Sequence, residues 1–159
     1  MQGITPFLWF DNQAEEAMNF YMSIFKNSKV ENVSRYSEAG PGRPGSVMVA
    51  SFSLDGQPFL AINGGSSPEF KFSPAISFMV HCETQGEVDH FWEKLSEGGE
   101  KSRCGWLTDK YGVTWQIVPT ILGDLMSDDD GRKTNNVMKA MLQMDKMDIA
   151  RLQAAFDKE

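Results

Sequence analysis

A repeated order of strand, helix and strands is the feature that most restricts the fold of this chain. The first copy occupies residues 1–63 and has the order strand, helix, strand, strand, strand. The second copy begins at residue 74, where the segment SFMVHCETQGEVDHF echoes FLWFDNQAEEAMNFY of the first. Such a repeat of one supersecondary unit predicts two modules of similar architecture.

The first copy combines one helix with four strands. Asp11 or Asn12 is expected to cap the helix, and two glutamates in its first turn favour the positive end of the helix dipole. Asp55-Gly56 is a strong hairpin signal between the last two strands. We expect the strands at residues 4–10, 30–36, 47–54 and 57–63.

The second copy opens with a strand at residues 74–82 and ends in a hairpin. Thr84 is expected to cap its helix, with Glu87 three residues later as a capping box. The segment CGWLTDKYGVTWQIV, residues 104–118, has Asp at the start and Gly at the end of a type I turn. The last arm alternates two faces. One face carries Val113, Trp115 and Ile117, and the other carries Thr114, Gln116 and Val118.

Beyond residue 119 the pattern becomes helical. ILGDLM predicts a short helix, SDDDGRK a polar turn, and Asn135 or Asn136 the start of a helix that runs to Met144. Ile149, Leu152 and Phe156 share the stripe of a last helix. Five of the ten methionines lie between residues 126 and 147. A methionine-rich amphipathic tail of this kind docks on its own domain or on a partner copy.

Charge and length exclude several classes of function. A net charge of −7 and a pI near 4.8 argue against nucleic acid and anionic membranes as partners, because both require a basic surface. No apolar run approaches the length of a membrane span, and the start of the chain lacks the pattern of a signal peptide. We expect a cytoplasmic protein of one compact domain in four parts: residues 1–63, 64–73, 74–119 and 120–159.

Four features together resemble the vicinal oxygen chelate (glyoxalase/bleomycin-resistance) superfamily, and within it the PhnB-like branch labelled 3-demethylubiquinone-9 3-methyltransferase domain. They are the paired βαβββ order, the opening FLWFDNQAEEAMNFY, the GG-x-x-P-x-F-x-F connector at residues 64–72, and CGWLTDKYGVTWQIVP. The resemblance implies an α+β fold in which each module curls into an open half-barrel, followed here by a helical tail. It also implies a homodimer.

The resemblance implies the fold without its metal centre. Metal-using members of the superfamily take His, Gln or Glu ligands from the first and last strands of each module. The positions that match are Ile4, Phe59 or Ala61, Ala75 and Gln116, and a shift of two residues brings in Pro6, Asn63 or Ser77. A divalent metal needs about three or four protein ligands, and of the directly matched side chains only Gln116 could coordinate one. We therefore expect neither a metal nor another cofactor.

The remaining reactive side chains favour structural roles. His81 and Cys82 are neighbours on a strand and so point to opposite faces. His90 is expected on a solvated helix face. Cys82 and Cys104 have no histidine paired with an acidic group beside them, and free cysteine is usually buried. No catalytic residue is assigned.

The residues instead predict an apolar cavity with a few uncharged polar groups, the usual composition of a small-molecule site. Its candidate residues are Asn63, Ser77, Thr114 and Gln116, with Phe70 and Phe72 over the mouth. Alternatively, the same side chains fill the barrel interior, with Asn63 and Gln116 hydrogen-bonded to the backbone.

The function that we favour is a metal-free module that binds a small molecule. Three other functions also fit this pattern. One is a metal-dependent isomerase, lyase or dioxygenase of the superfamily. Another is an interaction protein that works through the methionine-rich tail. The last is the methyltransferase of the family label, for which a glycine-rich turn from a strand into a helix is missing: SSPEFKFSP follows Gly64-Gly65, and Gly98-Gly99 follows a helix.

Overall fold

Eight strands and five helices form in residues 3–159, the part of the chain that a computed structural model describes. The first strands and helix are β1 (Phe7–Phe10), α1 (Ala14–Ile24), β2 (Lys29–Arg35), β3 (Val47–Leu54) and β4 (Gln57–Asn63). The next are β5 (Ser77–Cys82), α2 (Gln85–Ser96), β6 (Glu100–Lys101), β7 (Trp106–Thr108) and β8 (Thr114–Pro119). The tail contains α3 (Ile121–Met126), α4 (Gly131–Met141) and α5 (Ile149–Asp157).

The chain divides into two compact units, one that ends at Lys71 and one that begins at Phe72. Each contains one four-stranded sheet, and the strand orders are β1-β4-β3-β2 and β5-β8-β7-β6. In both sheets the first and last strands of the repeat pair in parallel, and the other pairs are antiparallel. The predicted repeat and the α+β class with a helical tail are confirmed. Neither sheet closes on itself.

In the first unit, α1 covers one face of the sheet. Its buried side chains are Ala14, Ala17, Met18, Tyr21 and Ile24. The sheet buries Leu8, Phe10, Ala50, Phe52, Phe59 and Ala61. Full burial of a large apolar side chain contributes about 1.5–3 kcal/mol, so the burial of this layer stabilises the unit.

The predicted caps of α1 are wrong, because the helix begins at Ala14 and its N-cap, Gln13, makes no side-chain capping bond. The backbone N–H of Ala14 instead donates to Asn63 Oδ1 at 2.8 Å, from the end of β4. The first strand of each repeat also begins later than predicted, at Phe7 and Ser77. A proline lies shortly before each of these strands, and proline has no N–H to donate to a ladder.

In the second unit, α2 covers one face of the sheet with Val88, Trp92 and Leu95, all buried. The predicted capping box at its start is confirmed: Glu87 N donates to Thr84 Oγ1 at 3.1 Å, and Glu87 Oε2 accepts from Glu83 N at 2.9 Å. None of the helices within residues 3–159 is long and apolar enough to cross a membrane.

The tail packs on its own unit through backbone hydrogen bonds and methionine side chains. Cys104 N donates to Met144 O at 2.8 Å, and Gly105 N donates to Asp145 O at 2.7 Å. Met144 and Met147 are buried. The predicted start of the middle tail helix is wrong, since α4 begins at Gly131 behind an Asp130 cap that accepts from Arg132 N at 2.9 Å. Aspartate caps a helix well because its charge also favours the dipole, so the helix continues through the two asparagines.

Candidate functional site

The second sheet has two faces of different chemistry. One face packs on α2 through Leu107, Trp115 and Ile117, all of which are buried. The other, which we call the outer face, carries rows of side chains across the strands, because paired residues point to the same side. Two rows are Trp106, Gln116 and Met79, and Thr108, Thr114 and Ser77. Glu100 of β6 extends the second row, and Val118 and His81 lie in the next row beyond Gln116 and Met79.

Gln116 lies in the middle of the first row and is held by Ser77. Gln116 Nε2 donates to Ser77 Oγ at 2.9 Å, and both side chains are half-buried. An amide has one acceptor oxygen and two N–H hydrogens, so Oε1 and one N–H make no hydrogen bond within residues 3–159. The Ser77 hydroxyl hydrogen is likewise available to donate.

Thr114 lies in the second row and has a buried hydroxyl. The residue is 3% exposed, and its Oγ1 has no hydrogen-bond partner among the described residues. Buried polar atoms are rarely left unpaired, since desolvation without a partner costs about 1–3 kcal/mol. The oxygen is enclosed by the protein, so a molecule on the outer face does not reach it without movement of neighbouring side chains.

Asn63 has a different environment from the one expected for a cavity residue. Its Oδ1 accepts from Ala14 N at 2.8 Å and its Nδ2 donates to Val47 O at 3.1 Å. Side chains at alternate positions of a strand share a face, so Phe59 and Ala61 also point toward α1. The sequence left open that Asn63 and Gln116 bond to the backbone instead of lining a cavity. Asn63 has such backbone bonds, whereas Gln116 bonds to a side chain.

The two connector phenylalanines belong to different units. The Phe70 ring meets Trp9 edge-on at 4.9 Å between centroids, in the first unit. In the second unit, Phe72 is half-buried and lies beside the hairpin turn: a Cβ built on Gly112 would be 3.8 Å from Phe72 Cβ. Of the candidate residues, Ser77, Thr114 and Gln116 thus share the outer face of the second sheet. Phe72 lies in the same unit, whereas Asn63 and Phe70 lie in the first unit.

Asp109 is an organising residue whose role the sequence pattern did not reveal. The residue is 2% exposed and lies at the start of the closing turn. Oδ1 accepts from Tyr111 N and Val113 N at 2.8 and 3.0 Å, and Oδ2 accepts from Trp115 Nε1 at 2.9 Å. These bonds fix the hairpin and so position Gln116. An Asp at the first position of a turn signals the backbone bonds, but not the one to Trp115.

The sheet faces that point away from the helices carry few side chains that could bind a metal ion. In the first sheet, the positions that point away from α1 on β1 and β4 hold Phe7, Trp9, Leu60 and Ile62. On the outer face, β5 carries Ser77, Met79 and His81, and β8 carries Thr114, Gln116 and Val118, so His81 is the one strong metal ligand among these six side chains. No group of three or more His, Cys, Asp or Glu side chains in residues 3–159 could hold a metal ion. Apolar side chains cannot coordinate a divalent ion, so the residues present do not fit the metal that this fold binds elsewhere.

Neither cysteine has the environment of a nucleophile. Cys82 is fully buried, and burial, with a smaller contribution from Glu87, raises the pKa of its thiol to about 12. A thiol in that state is unreactive at neutral pH. Cys104 is half-buried, and its Sγ contacts Met141 O at 3.5 Å.

Both glycine pairs have structural explanations. A Cβ on Gly64 would collide with the Trp9 ring, and a Cβ on Gly99 would collide with Thr108 O. Only glycine allows these close approaches. No helix begins between Gly64 and β5, so the connector does not supply the strand-to-helix turn that usually holds a methyl donor.

Comparison with known proteins matches this architecture. The family model described as 3-demethylubiquinone-9 3-methyltransferase matches residues 2–118. A solved Bacillus cereus structure, described as a putative 3-demethylubiquinone-9 3-methyltransferase, PhnB protein, is 44% identical, covers 75% of this chain and 100% of its own, and has a TM-score of 0.69. A search of the curated proteins finds no match.

More distant structures share the fold alone. Protein PA1353 from Pseudomonas aeruginosa is 20% identical over 75% of this chain and 98% of its own, with a TM-score of 0.63. The fosfomycin resistance protein FosX from Listeria monocytogenes is 17% identical over 80% of this chain and 98% of its own, with a TM-score of 0.55.

The fold is that of the vicinal oxygen chelate class, built from paired βαβββ modules. Within this class, the chain belongs to the PhnB-like family described as 3-demethylubiquinone-9 3-methyltransferase. The match to the family ends at residue 118, so α3, α4 and α5 lie beyond it.

Proposed function

We propose that this protein is a metal-free module that binds a small molecule on the outer face of the second sheet. The observation that carries the proposal is the unpaired hydrogen-bonding capacity of the half-buried Gln116 amide on this face. Apolar neighbours with a few oriented polar groups are the usual composition of a small-molecule site. We place Phe72, which lies beside the hairpin turn, at the border of this site.

The absence of strong ligands at the metal positions, among residues 3–159, supports binding without a metal. FosX shares the fold with this chain at 17% identity, and a likeness at that level carries no information on the chemistry of this chain. Elemental analysis of protein purified without chelator tests the metal-dependent alternative. We expect less than stoichiometric zinc, iron and manganese, and one metal ion per chain would overturn the metal-free proposal.

Protein-observed NMR with a set of neutral aromatic fragments tests the site itself. Fragments that bind should shift the Gln116 side-chain amide signals and the backbone signals of Ser77 and Thr114. The exposed amide of Gln57 in the first unit provides the internal control, and its signals should not move. Shifts confined to other regions, or no shifts at all, would contradict the site.

Two further parts of the proposal concern assembly and compartment. Members of this fold class commonly form oligomers, and we propose a homodimer. Light scattering after size-exclusion chromatography should give twice the chain mass of 17.8 kDa. Two free cysteines and a net charge of −7 support a reducing, cytoplasmic compartment. Cell fractionation tests this placement, and recovery of the protein outside the cytosol would contradict it.

A further inference from the structure

We propose that the Asn63-Gly64 pair is a latent site of spontaneous deamidation, which the folded first unit keeps unreactive and which reacts once that unit opens. This inference goes beyond the proposed function, since it concerns the other unit and needs no ligand. It is carried by the residue types and by four hydrogen bonds that converge on the pair.

Asparagine followed by glycine is the most reactive pair for this chemistry in unfolded chains, because glycine has no side chain that hinders the attack. The Gly64 nitrogen forms a bond to Asn63 Cγ, the bond from Cγ to Nδ2 breaks, and the side-chain nitrogen leaves as ammonia with the proton that Gly64 gave up. The cyclic imide then adds one water. Opening at Cγ gives aspartate, and opening at the main-chain carbonyl gives isoaspartate, in which the chain continues through the side-chain carbon.

In the folded unit, both ends of the Asn63 side-chain amide are held. Oδ1 accepts from Ala14 N at 2.8 Å, and Nδ2 donates to Val47 O at 3.1 Å. The attack makes Cγ tetrahedral, and the loss of ammonia removes the donor to Val47 O. Each of these bonds therefore favours the intact, flat amide.

The attacking nitrogen is engaged as well. Gly64 N donates to Phe10 O at 2.9 Å, next to the register pair that Phe10 forms with Asn63. Loss of the Gly64 proton would place a negatively charged nitrogen against that carbonyl oxygen, so the bond opposes the step that makes the nitrogen a nucleophile. On the other side of the peptide bond, Asn63 O accepts from Tyr36 Oη, which restrains rotation of the peptide plane.

The four partners lie in different segments of the first unit. Phe10 ends β1, Ala14 begins α1, Tyr36 follows β2 and Val47 begins β3. A movement of one segment leaves the other bonds in place, so all four are released only when the sheet around β4 opens. The rate of modification at Asn63 should therefore follow the opening of the first unit.

The products do not fit the place of the asparagine. Aspartate at position 63 keeps an acceptor for Ala14 N, but it sets a second acceptor against Val47 O, to which the amide donated. Isoaspartate also adds a methylene to the backbone and shifts Gly64 relative to β1. Deamidation therefore turns a reversible opening into a lasting loss of the native fold.

Rates of deamidation in the folded and the unfolded chain test the proposal. The full chain is incubated in mildly alkaline buffer with guanidinium chloride, or with sodium chloride at the same concentration, and peptide mapping by mass spectrometry follows the products at Asn63. We expect the unfolded chain to react at least about a hundredfold faster, because the folded unit rarely opens. Similar rates would overturn the protection, and no reaction at Asn63 in the unfolded chain would overturn the site.

Tyr36→Phe tests whether the hydrogen bonds restrain the reaction. The variant keeps the ring and loses the bond to Asn63 O, so the folded chain should deamidate several-fold faster while the unfolded chain keeps the parent rate. Ser34→Ala, which removes a β2 hydroxyl that donates to Val49 O, is the matched control and should have a smaller effect. An effect of Tyr36→Phe no larger than that of the control would overturn the role of this bond.

Asn63→Asp reproduces one product in every molecule. It should lower the urea midpoint of unfolding more than Asn32→Asp, which changes an exposed asparagine of β2. If Asn63→Asp does not fold, the refolding yield of parent chain incubated in guanidinium chloride replaces this measurement, and the yield should fall in step with the modified fraction. Equal midpoints of the two variants, or a yield that stays constant, would overturn the claim that deamidation makes the opening permanent.

Discussion

Asn63 is a residue type that suggests a polar binding site, but its side chain bonds to two backbone groups. We call this arrangement a backbone clamp. It joins the N-terminus of α1 to the start of β3 through one acceptor and one donor bond. Sequence patterns place it at a strand end and cannot show which backbone groups it will meet, because both partners are distant in the chain. The outer-face residues Ser77, Thr114 and Gln116 were foreseeable, since the alternation along one hairpin arm and one strand decides their face.

Asn63→Ala should destabilise the protein by about 2–3 kcal/mol, because it leaves Ala14 N and Val47 O without their partner. Urea unfolding followed by circular dichroism measures the change. Asn32→Ala, which alters an exposed asparagine of β2, is the matched control and should change stability by less than about 0.5 kcal/mol. Equal effects of the two variants would contradict the clamp.

Cys82 should make the protein less stable in base. Burial raises the pKa of its thiol from the ordinary value of 9.0 to about 12, so above pH 9 the unfolded chain loses a proton that the folded chain retains. Stability from this group is fully present below pH 9 and falls by about 1.4 kcal/mol for each pH unit between 9 and 12. Urea midpoints at about pH 8, 9.5 and 10.5, which span the start of this range, measure the slope. Cys82→Ala should flatten it, whereas Cys104→Ala should leave it unchanged.

At the scale of elements, α2 is joined to the tail by Gln85. Its Nε2 donates to Met147 O at 3.0 Å, and its Oε1 accepts from Ile149 N at 2.8 Å, so one amide satisfies two backbone groups around the start of α5. Beside it, Lys146 pairs with Asp89 at 3.0 Å, and Gln85, followed by Lys146, lowers the pKa of the Asp89 carboxyl. The pair is exposed, so the amide carries the attachment.

Gln85→Ala should loosen the attachment of α5 without unfolding the second sheet. The expected cost is about 2–3 kcal/mol, since two backbone groups lose their partner. Hydrogen exchange should speed up at the amides of α5 and stay near the parent rate at the buried amides of β8. Gln153→Ala, which removes a glutamine that bonds only to Asp157 within α5, is the control. Equal exchange rates in α5 for Gln85→Ala and the parent would contradict the role of Gln85.

At the scale of the whole molecule, the tail lies beyond the part of the chain that matches the family model, yet it packs into the second unit. The family match ends at residue 118, yet Val137, Met144, Met147 and Leu152 are buried. The bonds from Cys104 N and Gly105 N to the tail backbone secure the start of β7. The tail is thus part of the folded unit, and an interaction role would have to use its exposed side, where Met138 and Leu142 lie.

A chain that ends after Thr120 should be less stable than the parent and should bind a hydrophobic dye, because it exposes the apolar surface that the tail covers. Thermal unfolding and dye fluorescence measure the two effects. Removal of the last two residues alone, which form no helix, is the control and should have no effect. A truncated chain with the parent's melting temperature would show that the tail is dispensable for the fold.

The sequence by itself determined the repeat, the strand and helix types, the capping box of α2 and the face on which Gln116 lies. These follow from local periodicity and from hydrogen bonds between residues three or four apart. Only the tertiary structure decided the cap of α1, the attachment of α5 and the pairing of Gln116 with Ser77. Each of these joins residues 39 or more apart in the chain, and a local pattern carries no information on which distant groups the folded backbone will bring within about 3 Å.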